Sequence, residues 1–257
     1  MRRMTVSKTI IILVSMLAVF SIFQTVTLAA PEIPIPTIGL DMQPAETPQD
    51  VALSLQILFL LTILSLAPAI LIMTTSFTRI IIVLSFIRNA LATQQTPPNQ
   101  VLIGLALFLT LFVMSPVIAD INEHAYRPYM EERIGFEEAV ERAMLPLRNF
   151  MLRQTRQKDL ALFVGLSGVE GMQDISGVQN RALIPAFIIS ELKTAFQMGF
   201  LLFVPFLVID MVVASTLMSM GMMMLPPIMV SLPFKILLFI MVDGWNLIVQ
   251  SLVTGFR

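Results

Sequence analysis

The chain has no cysteine and a single histidine, His124. The first absence removes disulfides, thiol catalysis and iron–sulfur clusters, and the second leaves a histidine-based metal site without ligands. Charge is scarce as well. Only 13% of the 257 residues are charged, about half the share found in a soluble domain. That is too little to coat a water-soluble globule of this length. The net charge of −1 gives no field that would gather nucleic acid. No phosphate loop, no His-Glu-x-x-His and no Gly-rich dinucleotide turn occurs, so ATP hydrolysis and cofactor chemistry have no basis in the sequence. What is abundant is apolar surface: 56% of residues are hydrophobic and the mean hydropathy is +0.85. The chain reads as an all-α integral membrane protein, not an enzyme, with no cofactor and no metal.

Residues 1–29 read as a signal peptide. Arg2, Arg3 and Lys8 form a basic start, an uncharged run follows from Thr9 to Phe23, and Thr27 and Ala29 supply small residues for cleavage after Ala29, with Ala30 as the second choice. The competing reading is an uncleaved anchor. The apolar run is short for a span of about 20 residues, and Pro31, Pro34 and Pro36 follow at once. The Arg2-Arg3 pair is only a weak twin-arginine signal. Residues 30–50 then form a Pro-rich, mildly acidic linker outside the cytoplasm.

Charge position divides the remainder. No charged residue occurs from Val51 through Thr78, nor from Asn89 through Ala119. Residues 51–119 therefore read as a first apolar helical hairpin. Arg79 and Arg88 lie in its connection and place that connection on the cytoplasmic side. Residues 120–183 differ, for they hold ten of the 17 acidic and eight of the 16 basic residues. They read as a small helical extracytoplasmic (periplasmic) domain. Within it, Ile134 to Arg148 carries Phe136, Val140, Met144 and Leu147 at helical spacing, the pattern of an amphipathic helix. Residues 184–257 are apolar again, with one pass expected from Ile184 to Val213 and another from Lys235 to Val253. The expected fold is thus four apolar helices in two long hairpins flanking the polar domain.

Several features bear on function. Gly165-Leu-Ser-Gly168 has the form of an intramembrane serine-protease motif that would pair Ser167 with His124, but it does not open a membrane helix and reads as a turn. Glu191, Lys193, Asp210 and Asp243 fall inside apolar runs, where an ionised group must face protein or water. Glu191 and Lys193 are two residues apart and cannot pair along one helix face, so each needs a partner from another helix or subunit. The alternative is snorkelling to an interface. Seven of the 19 methionines lie between Met211 and Met229. Met222, Met223 and Met224 adjoin Gly221 on one side and Pro226 and Pro227 on the other, which marks a break in the helix. Methionine is common filler in apolar helices, but flexible thioethers on irregular backbone also suit a deformable seal.

Pro185-Ala-Phe-Ile-Ile-Ser-Glu-Leu-Lys-Thr-Ala-Phe-Gln-Met-Gly199 and Pro205-Phe-Leu-Val-Ile-Asp-Met-Val-Val-Ala-Ser215 strongly resemble the two signature stretches of the FliP family. Thr75 to Leu91 and Thr96 to Gln100 look like family sequence too, and the resemblance covers nearly everything from Val51 onward. It implies a component of the flagellar type III export gate in the bacterial inner membrane and flagellar basal body. Members form a pentameric ring that joins FliQ-like and FliR-like proteins in a conduit for unfolded flagellar polypeptides, alongside FlhA-like and FlhB-like export proteins. The family's gasket maps onto Met222, Met223 and Met224. The resemblance also implies that much of the assembled complex lies above the plane of the bilayer, where apolar helices bury against other subunits instead of lipid, and hydropathy does not separate the two outcomes. The alternatives are an injectisome export gate and, less readily, an ion channel. A channel needs a ring of like polar groups at its narrowest point, whereas the constriction here is apolar.

Overall fold

The structure, a computed structural model, describes residues 48–93, 95–167, 178–222 and 224–256. The expected signal peptide and most of the linker lie outside the described residues. Contacts divide the chain into Met1–Ser54, of which only the opening of the first helix is described, and Leu55–Arg257, which holds all the other helices described below. The described residues are helical, joined by turns, with no strand among them.

Helix α1 (Pro48–Met73) is apolar on all sides, and the window Ser54–Met73 has no buried share. The break Thr74–Ser76 leads into α2 (Phe77–Ala90), which is the opposite case. Ile80, Val83, Leu84 and Ile87 are buried at the i, i+3, i+4, i+7 spacing of one helix face. This corrects the expected hairpin: the stretch from Arg79 to Arg88 is a core helix and not a loop. Its two arginines masked the periodic stripe between them.

Helix α3 (Asn99–Ile121) runs through a π-helical turn, Asn122–Tyr126, into the short α4 (Arg127–Met130). Helices α5 (Phe136–Gln154) and α6 (Gln157–Leu166) carry eight of the eighteen charged residues of the charge-rich segment. They share a core with the apolar helices, because Phe150 and Met151 pack with Met114, Val117, Leu183 and Phe187. On α5 the expected stripe is only partly used. Phe136 is 68% exposed and touches Tyr129 edge-on at 6.2 Å, and Val140 is also exposed. The buried positions are Ala139, Pro146, Phe150 and Met151, and the apolar packing of α5 on α3 and the following long helix runs through Leu147, Phe150, Met151 and Leu152 in its second half.

Helix α7 (Asn180–Ser219) has 40 residues and contains Pro185 and Pro205. At 1.5 Å per residue it is about 60 Å long, twice the hydrocarbon thickness of a bilayer. The expected pass from Ile184 to Val213 is thus only part of a longer rod. Its neighbour α2 approaches closely at Gly199, where a Cβ would lie 2.6 Å from the Phe86 ring. Helices α8 (Pro227–Met241) and α9 (Gly244–Thr254) replace the single last pass. They are bent by 64° at Asp243, which takes left-handed backbone at φ 50°. Gly244 permits the bend, since a Cβ there would meet the Phe239 ring at 2.4 Å. Among the described residues, three helices are long and apolar enough to cross a membrane, or four if α8 and α9 form one broken span.

Candidate functional site

Three groups of side chains occupy the positions marked in the sequence. The first surrounds Glu191, which is wholly buried on α7. Arg79, in the first turn of α2 and 2% exposed, donates from Nε to Glu191 Oε2 at 2.9 Å and from Nη2 to Oε1. This is the two-pronged pairing that a planar guanidinium makes with a carboxylate. The remaining donors are also engaged. Nη1 donates to the Gly255 carbonyl at 2.8 Å and Nη2 to Gln154 Oε1 at 3.1 Å, while the guanidinium lies 3.9 Å from the Phe256 ring centroid. Gln154 in turn donates from Nε2 to the Phe256 carbonyl at 3.1 Å. One buried cluster therefore ties α2, α5, α7 and the turn after α9. Arg79 consequently carries no topological signal: it belongs to an interior ion pair, not to a cytoplasmic loop.

Lys193 projects to a different neighbour, as a two-residue offset on a helix requires. Its Nζ pairs with Asp159 of α6, whose carboxylate is buried. Beside it the Arg156 backbone N–H donates to Ser190 Oγ at 2.9 Å, and the Arg156 side chain reaches Thr194 and Gln197. The second group lies further along α7. Lys235 of α8, 2% exposed, donates to Asp210 Oδ2 at 2.6 Å, and Ser231 Oγ donates to Oδ1 at 2.6 Å. The partners Arg79, Asp159 and Lys235 were not assigned from sequence. Lys235 did leave a trace, since it is the sole charged residue between Pro226 and Val242. Arg88, half-buried, donates to the Asn99 side chain and to the Pro97 carbonyl at 3.5 Å, and so holds the α2–α3 turn.

The third group is the methionine loop. α7 is closed by two backbone bonds, Gly221 N–H to the Met218 carbonyl and Met222 N–H to the Leu217 carbonyl, each 3.0 Å. With Gly221 at φ 73° this is a Schellman cap, which needs a residue free to adopt left-handed backbone. On the far side Pro226 precedes α8 and Pro227 occupies its first turn, where a missing N–H costs no hydrogen bond. The described residues between, Met222, Met224 and Leu225, are thereby held out of helix. Met224 is 99% exposed, and Met218, Met220, Met222 and Met229 are exposed around it. Met223 lies outside the described residues.

Ser167 and His124 engage separate partners. The serine hydroxyl donates to the Val164 carbonyl at 2.7 Å, and His124 Nδ1 lies 2.7 Å from an Asp120 carboxylate oxygen. Among the described residues no group of three or more potential metal ligands forms.

A family model described as "FliP family" matches residues 60–252. The flagellar biosynthetic protein FliP of Bacillus subtilis (strain 168) is 58% identical over 209 residues, spanning 81% of this chain and 95% of that protein. Its counterpart from Pectobacterium carotovorum subsp. carotovorum is 58% identical over 208 residues, 81% of each chain. That of Borreliella burgdorferi is 52% identical over 210 residues, 80% of this chain and 83% of the other. The matched region spans most of the chain and contains the Arg79–Glu191 and Asp210–Lys235 pairs and the methionine loop, so the chain belongs to the FliP family.

Proposed function

We propose that this chain is a structural and gating subunit of the flagellar type III protein export gate, forming with FliQ-like and FliR-like proteins a conduit for unfolded flagellar subunits. Family membership makes it a flagellar biosynthesis protein of the export apparatus and a structural component, not an enzyme. The gating role is carried by one observation: a methionine loop fixed at both ends by backbone chemistry, whose described side chains are left exposed. Several copies around a lumen would place such side chains at one height. Their apolar surface would exclude hydrated ions, and their unbranched stems would part around a polypeptide. Exposed apolar faces on α1, α3, α7 and α8 supply surface for neighbouring subunits and for lipid of the bacterial inner membrane. The self-assembly expected is the family's pentamer.

Replacing Met222, Met223 and Met224 with alanine should leave assembly intact and make the membrane leak ions or small solutes. Isoleucine at the same positions should keep the seal but hinder export, because a β-branched side chain is stiffer. A triple-alanine gate that assembles at normal level in a membrane as tight as wild type would overturn the seal.

The charge-rich segment is assigned to the extracytoplasmic side. Support comes from the signal-peptide pattern and from Arg88, in the last turn of α2 beside the α2–α3 turn. A phosphatase fused at Gly171 should be active. An inactive phosphatase together with a fluorescent cytoplasmic reporter at that position would reverse the topology.

A further inference from the structure

With no cysteine in the chain, thioethers are its only sulfur, and they are what a two-electron oxidant meets. Among the described residues nine methionines are exposed. Five of them, Met218, Met220, Met222, Met224 and Met229, lie between the last turn of α7 and the first turn of α8. The other four, Met73, Met130, Met211 and Met241, stand singly on α1, α4, α7 and α8. At the opposite extreme, Met114 and Met151 are buried in the core shared by α3, α5 and α7. Exposed sulfur is therefore concentrated at one place, on backbone held out of helix.

We propose that the methionine loop is a site of reversible oxidation, at which a hydroperoxide converts Met222, Met224 and their exposed neighbours to methionine sulfoxide and so opens the seal. The sulfur lone pair forms a bond to one peroxide oxygen as the O–O bond breaks. The proton on that oxygen passes to the other, which leaves as water or an alcohol. Sulfur is oxidised by two electrons and the peroxide is reduced by two. The product is a polar acceptor where an apolar thioether stood. The loop offers that acceptor few donors. The Gly221 and Met222 N–H groups already donate to carbonyls, and Pro226 and Pro227 have none. The new oxygens therefore bind water, which is what an apolar seal excludes. Clustering decides the effect: a lone sulfoxide alters one point, whereas several at one height polarise the whole constriction. Reductases specific for each sulfoxide epimer restore the thioether, so the change reverses. The proposal rests on the reading of the loop as a seal.

The test takes membranes carrying the complete export gate, with hydrogen peroxide as the oxidant. Peptide mass spectrometry locates the added oxygen, and ion leak is measured on the same sample. Met224 should be oxidised at least about tenfold faster than the buried Met114 and Met151. The leak should rise in step with sulfoxide at Met222 and Met224. It should fall again when sulfoxide reductases of both epimer specificities are added with their thiol reductant. The triple variant Met222→Leu, Met223→Leu, Met224→Leu is read against itself: whatever its leak beforehand, peroxide should add little. Met130→Leu should respond to peroxide as wild type does. Oxidation of Met224 no faster than that of Met151 would overturn the proposal. So would a fully oxidised loop with an unchanged leak, or a full peroxide response in the leucine variant. Should the leucine variant fail to assemble, reversal by the reductases still decides. The triple-alanine variant without peroxide tests the seal by itself. A leak there with none in oxidised wild type sinks the oxidation alone, whereas a tight membrane in both sinks the seal.

Discussion

Within α7, the turn carrying Glu191 and the turn ending at Ser219 lie about 40 Å apart along one helix, and their side chains are held by different forces. Around Glu191 every described contact of note is directional: a two-pronged ion pair, a carbonyl and a carboxamide accepting from the same guanidinium, and an aromatic ring against it. Such a cluster has one good geometry, and small displacements break several bonds together. Around Met218, Met220, Met222 and Met224 there are backbone capping bonds and otherwise exposed thioether side chains, and among the described residues no side-chain hydrogen bond or ion pair fixes them. Dispersion between flexible chains offers many arrangements of nearly equal energy. One end of the rod is thus built to hold position and the other to tolerate change.

The largest effect should come from breaking the rigid end. Glu191→Ala strands the Arg79 guanidinium in the interior, which costs about 3–5 kcal/mol for a fully buried pair. The expected outcome is loss of folded protein in the membrane. Glu191→Gln, which keeps the shape and one of the two acceptor oxygens, should lose less. Normal yield and normal thermal stability of Glu191→Ala in detergent would show that the cluster is not a structural keystone. Next comes Lys235→Ala. Asp210 keeps its bond from Ser231 and is partly open to solvent, so the loss should be smaller, about 1–3 kcal/mol. Equal melting shifts for the two alanine variants would remove the gradient along α7.

Nearer the loop, Gly221→Ala places a Cβ in left-handed backbone, a cost of about 1–2 kcal/mol. Its melting shift should be modest, and its main readout should be export efficiency, because the cap aims the loop. The smallest effect on stability is expected from Met222, Met223 and Met224 changed together to alanine, within about 0.5 kcal/mol of wild type as for other exposed positions. Stability unchanged while the membrane leaks is the sharpest form of the contrast. A large melting shift would instead make these methionines core filler.

The sequence revealed the apolar runs, the break at Gly221 to Pro227 and the need of Glu191, Lys193 and Asp210 for partners, because each is a local departure from a uniform apolar background. It concealed what depends on distant residues. Arg79 and Glu191 are 112 positions apart, and nothing near Arg79 distinguishes a buried guanidinium from a loop arginine. The stripe Ile80, Val83, Leu84 and Ile87 was visible in principle, yet the flanking charges drew it into a connection. The unused first half of α5 follows from the same limit: Phe136 and Val140 keep helical spacing whether or not a partner reaches them. The bend at Asp243 depends on the Phe239 ring lying over Gly244, a contact that a uniformly apolar run does not disclose.

The carbonyls of Gly255 and Phe256 add a consequence in time. They supply one acceptor to Arg79 and one to Gln154, and the Phe256 ring covers the guanidinium. Ribosomes release these residues after all the other described ones. While α2 and α7 are already in place, a buried cation of the fold still lacks a carbonyl and its aromatic cover. The nascent chain therefore carries an unfinished interior until its last described turn arrives, and a chain broken off before Gly255 keeps that deficit for its whole lifetime. The last described turn thus finishes the interior, and a membrane protease that senses loosened helices would find the deficit in a chain that lacks it.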